Sequence, residues 1–68
     1  MPTGTVKWFN TTKGYGFIAP ESGGKDVFVH ISAVERSGLT RLADDQKVAY
    51  ELMDGRDGRQ MASDLKLL

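Results

Sequence analysis

Short runs of β-branched and aromatic residues alternate with clusters of Gly, Asp, Asn and Ser along this chain, and no stretch sustains the apolar repeat of a long amphipathic helix. The runs predict five strands, at roughly Gly4–Asn10, Tyr15–Pro20, Asp26–Ile31, Gln46–Met53 and Arg59–Leu67. Thr11 to Gly14 reads as a tight connection, Glu21 to Lys25 as a glycine-rich hairpin loop, and Asp54-Gly55 opens a further turn. The longest connection, Ser32 to Asp45, carries the S-x-x-E spacing of a capping box at Ser32 and Glu35, with Gly38 where a short helix would stop. The pattern therefore predicts an all-β barrel or sandwich with one short helical turn in its long loop, and it excludes βαβ and ferredoxin-like layouts.

Side chains of a strand alternate between two faces. On the second strand this sends Lys13, Tyr15 and Phe17 one way and Gly16 and Ile18 the other. On the third, Asp26, Phe28 and His30 oppose Val27, Val29 and Ile31. The aliphatic faces supply core, so pairing the two strands leaves Tyr15, Phe17, Phe28 and His30 together outside. Trp8 is expected to join them from the first strand. Phe9 should then point inward unless a bulge exposes both rings.

Singly, each of these residues has an ordinary explanation, since strand aromatics are most often core and lone lysines are most often solvated. Jointly they do not, because a chain this short has no second layer in which to bury them. An exposed aromatic cluster is unfavourable in water and needs a partner. Nucleobases are suitable partners, stacking on aromatic rings at about 1–3 kcal/mol per base with little regard to sequence. Gly14 and Gly16 would keep the neighbouring surface low, Lys13 can meet a phosphate, and Asp26 can accept from a base amino group.

Composition narrows the reading. Sixty-eight residues predict one domain, spanning 1–68, that buries only about 60% of its unfolded surface. Without Cys and with one His, the sequence offers no disulfide framework and no thiolate or multi-His metal site, and no cofactor is expected. The absence of a signal segment and of a long apolar run points to a cytoplasmic protein. Nine basic residues balance nine acidic ones. A neutral nucleic-acid binder is unusual, but Lys7 to Pro20 holds two lysines and no acid. Stacking rather than charge should therefore dominate binding.

Lys13-Gly14-Tyr15-Gly16-Phe17-Ile18 resembles the first ribonucleoprotein motif, and Val27-Phe28-Val29-His30-Ile31 resembles the second as cold-shock domains spell it. With Lys7-Trp8-Phe9-Asn10 upstream and Ser32-Ala33 downstream, the whole chain is similar to the bacterial cold-shock protein family. That resemblance implies a five-stranded antiparallel barrel of the oligonucleotide-binding (OB) type, no enzymatic activity, and a monomer or weak dimer. It also implies binding of single-stranded RNA and DNA, with pyrimidine-rich strands preferred, and action as an RNA chaperone or transcription antiterminator. The family's contact positions fall on Lys7, Trp8, Lys13, Tyr15, Phe17, Asp26, Phe28 and His30, in part on Phe9, with Arg56 and Gln60 as weaker candidates.

Three other readings compete. An RNA-recognition motif needs two helices, and a nuclease needs a base and metal constellation that scattered acids do not provide. A protein-interaction barrel would also display aromatic hot spots. Against the family pattern, Ile31 and Leu39 stand where aromatics are common, and Tyr15 replaces the commoner Phe. Two missing rings predict a shorter footprint or weaker binding than in an aromatic-rich relative. Replacing them, Ile31→Phe with Leu39→Phe, should tighten oligonucleotide binding in a fluorescence titration; an unchanged affinity would refute the point.

Overall fold

The computed structural model describes residues 2–54 and 60–68. Five strands, β1 (Thr3–Asn10), β2 (Tyr15–Pro20), β3 (Val27–His30), β4 (Lys47–Asp54) and β5 (Gln60–Leu67), close into a barrel in the order β1-β2-β3-β5-β4. One helix, α1 (Ile31–Arg36), follows β3 directly. The OB-type barrel is thus present, with one correction to its pairing. β3 and β5 run parallel, meeting at Phe28 and Met61, while every other ladder is antiparallel. The expected fifth-strand start, Arg59, lies outside the described residues.

Local chemistry explains where α1 begins and ends. The capping box expected at Ser32 does not form. His30 is the N-cap, its Nδ1 accepting from the Ser32 N–H at 3.1 Å. An imidazole Nδ1 stands three bonds from Cα, as an Asn side-chain oxygen does, so it reaches the same backbone donor. Ile31 consequently leaves the strand and opens the helix, half-buried rather than in the core as expected. At the other end Gly38 adopts φ +81°. Its N–H donates to the Glu35 carbonyl at 3.0 Å, and the Leu39 N–H to that of Val34, also at 3.0 Å. This is the paired bonding of a Schellman stop, and Leu39 packs on the core beside it. Ser37 Oγ then donates to the Ala33 carbonyl and accepts from the Leu65 N–H, tying α1 to β5.

The core joins Val6, Ile18, Val27, Val29, Val34, Leu42, Val48, Tyr50, Ala62 and Leu65. These come from every element, so no hairpin buries its apolar face alone. Burial pushes the Tyr50 phenol above its ordinary value of 10.0, because the charged form loses its hydration. A raised acid pKa means that the unfolded chain ionises first. The stability tied to this group is therefore complete below about pH 10 and lost as pH rises through the folded value. In alkaline melts the parent should lose stability over that range, and Tyr50→Phe should flatten the decline; an identical slope would refute the assignment.

β1 holds the barrel's most consequential irregularity. Val6 pairs with Ile18 but Trp8 pairs with Phe17, so Lys7 is an extra residue in the strand. Val6 is bound on its other side by the lead-in to β4, its N–H donating to the Gln46 carbonyl and its carbonyl accepting from the Asp45 N–H, both at 2.8 Å. One pair beyond the bulge, Gly16 faces Phe9. A Cβ there would fall onto the Trp8 carbonyl oxygen and 2.7 Å from Phe9 Cδ1, so only glycine allows this approach. Gly16→Ala should cost about 1–3 kcal/mol in urea denaturation, the range of overpacked cores; a neutral substitution would show that β1 can shift freely.

Candidate nucleic-acid interface

Alternation alone would give Gly4, Val6 and Trp8 the same inward face. The extra residue at Lys7 breaks that phase, so Val6 is fully buried while Trp8 is 38% exposed. The bulge does not expose both rings. Phe9, paired with Gly16, turns inward and packs half-buried against the core.

β2 and β3 bring the remaining rings to Trp8. The register pairs Tyr15 with His30 and Phe17 with Phe28, placing all four on the outer face. Trp8 meets Tyr15 and Phe17 edge-on, with centroids 5.6 and 5.4 Å apart. Phe17 meets Phe28 in the same way at 5.8 Å, whereas Tyr15 stacks on Phe28 at 5.6 Å with planes 30° apart. His30 closes the group 6.4 Å from Phe28. Edge-to-face packing is one of the two preferred arrangements of aromatic pairs, with offset stacking. Here it also fixes the rings without stacking them all on one another, so flat π-surface remains accessible to a ligand. Gly14 and Gly16 do not lower this surface as expected: both are buried, Gly16 on the inward side of its strand.

Polar groups ring the patch. Lys7 Nζ donates to Asp26 Oδ2 at 3.0 Å, with both side chains well exposed. Such a surface pair contributes about 0.2–1 kcal/mol, little enough for a ligand to displace. Lys13 is exposed in the turn before Tyr15, and its backbone N–H donates to Asn10 Oδ1. His30 serves two purposes. With Nδ1 accepting from Ser32, the ring proton sits on Nε2 as a donor, while the ring itself remains exposed.

The arrangement gathers Lys7, Trp8, Tyr15, Phe17, Asp26, Phe28 and His30, with Lys13 in the adjoining turn. Phe9 stands behind the surface and Gln60 at the exposed start of β5, paired with Asp54. Arg56 lies outside the described residues. Sequence reasoning missed Met61 and Met53, which extend the same line of side chains from Phe28 across β5 and β4. No local signal could have placed them, because the parallel β3–β5 contact joins distant segments. No helix among the described residues is long and apolar enough to cross a membrane.

Comparison with known proteins agrees with this geometry. The family model described as the 'Cold-shock' DNA-binding domain matches residues 2–68. The chain is 62% identical to the protein named "Probable cold shock protein y4cH" of Sinorhizobium fredii, covering 94% of this chain and 93% of that one. It is 54% identical to cold shock protein CspA of Rhizobium meliloti over 97% of each chain. It is 50% identical to cold shock-like protein CspE of Escherichia coli over 94% of this chain and 93% of that one. With a barrel of this topology, this aromatic face and a family match over nearly its full length, the chain belongs to the cold-shock domain family.

Proposed function

We propose that this protein binds single-stranded RNA and DNA in the cytoplasm through the outer face of β1, β2 and β3, as a single domain without catalysis or cofactor. The observation that carries the reading is the bulge at Lys7, which spends a strand irregularity on turning Trp8 out beside Phe17. A tryptophan turned into water gains nothing in a monomer's core. Against a base it gains a stacking partner.

Trp8, Tyr15, Phe17, Phe28 and His30 stack bases, Lys7 and Lys13 meet phosphates, and Asp26 accepts from a base edge once its pair with Lys7 opens. Phe9 supports Trp8 from behind the sheet, Gln60 is a weaker contact at the start of β5, and Arg56 is a weaker candidate still. Rings bind unpaired bases only, so binding favours the melted form of a hairpin. That is RNA chaperoning, and at a terminator hairpin the same activity is antitermination. Pyrimidine-rich strands, with less self-stacking to disrupt, are the expected ligands.

Trp8 is the only tryptophan, so its fluorescence reports directly on the face. Titration with a pyrimidine-rich single strand should quench it, and a matched duplex should not. Two lysines facing phosphates predict a shallow salt dependence, a slope of about −1 to −2 in log K against log salt. Absence of quenching at moderate salt would overturn the reading.

A further inference from the structure

We propose that the binding face continues past Phe28 over Met61 and Met53, and that the groove beside them, between α1 and the β4–β5 hairpin, takes one additional nucleotide. This inference rests on the single-strand reading above. Its first support is register. Trp8 pairs with Phe17, Phe17 with Phe28, Phe28 with Met61, and Met61 with Met53. Partners in register project to the same face of a sheet, so one row of large apolar side chains crosses all five strands. Phe28 and Met61 are half-buried, as Phe17 is, and Met53 is 57% exposed. The apolar surface therefore does not end where the aromatic rings end.

The second support is the shape and chemistry of the neighbouring groove. It has a volume of about 410 Å³ and shares His30 with the aromatic face, so a strand lying over Phe28 and His30 reaches it without a break. Met53 and Met61 form its apolar side, Arg36 projects from α1, and Asp54 and Asp64 stand among its lining. A thioether is polarisable and flexible, and contact with a π-face contributes about 2- to 10-fold in affinity. The two carboxylates repel phosphate but accept hydrogen bonds from base amino groups. The base edge therefore faces Asp54 and Asp64, while the guanidinium of Arg36 takes the backbone phosphate.

The test compares oligonucleotide lengths in the full chain. Parent protein and the double variant Met53→Gln, Met61→Gln are titrated with a pyrimidine tetranucleotide and a nonanucleotide, followed by Trp8 quenching. The variant should bind the nonamer about 3- to 10-fold more weakly and the tetramer as the parent does. Because Met61 is half-buried, methyl NMR of the unmutated protein provides an independent measurement: the Met53 and Met61 methyl signals should move on adding the nonamer. Trp8 quenching with no methyl movement and equal nonamer affinities would overturn the extension while leaving the aromatic face intact. Equal losses on both lengths would also overturn it, since the methionines would then act through the fold. So would methyl shifts that follow protein concentration without oligonucleotide, which would assign the row to a second copy. Failure of Trp8 to quench at all would instead remove the single-strand reading on which the extension rests.

Discussion

The close backbone contact between Gly16 and the Trp8–Phe9 segment is the constraint on which the rest of the molecule depends. Just before this contact β1 carries one more residue than β2 over the same length, and that extra residue reverses the phase of everything after it. Before Lys7 the strand faces the core with Val6; after it, Phe9 faces inward and Trp8 faces water. Val6 is held from the opposite side by Asp45 and Gln46, so the bulge is fixed by two neighbouring segments at once. Surface chemistry and barrel geometry are thus decided at one point.

Much of this was legible in the sequence, for a physical reason. The β2–β3 hairpin has a strict two-residue period and a short loop, so its faces follow from counting, and Tyr15, Phe17, Phe28 and His30 emerge together without reference to the rest of the fold. The helix stop at Gly38 was equally local, since a left-handed residue after a helix favours glycine. Where the reading failed, the deciding contact was either distant or chemically disguised. Trp8 outward and Phe9 inward were legible, but the bulge at Lys7 that sets them so is braced by Gln46 and Asp45, some forty residues away. The cap fell to His30 because an imidazole nitrogen can imitate an Asn oxygen, which the spacing of Ser32 and Glu35 conceals. The parallel seam between β3 and β5 left no local mark, and with it Met61 and Met53 went unseen as neighbours of the rings.

His30 shows how tightly the aromatic face and the scaffold share parts in so small a chain. Its ring lies at the edge of the aromatic face while its Nδ1 holds the first turn of α1, and α1 is joined through Ser37 to Leu65 of β5. A change of residue at this position alters surface and scaffold together. The core gives the same impression, since its ten residues are drawn from all six elements and the long loop.

The ion pair between Lys7 and Asp26 has a consequence for tempo. A lysine already matched with a carboxylate adds little to the long-range attraction that steers polyanions toward a protein, and displacing the carboxylate offsets part of what a phosphate would contribute. On a chain with no net charge, the proposed binding therefore leaves encounter mainly to diffusion, and retention to the flat contact between ring and base. On the proposed reading, such a surface would exchange its ligands quickly and distinguish an unpaired strand from a duplex by the accessibility of its bases, not by its charge density. Brief occupancy is what the proposed chaperone role asks of such a face.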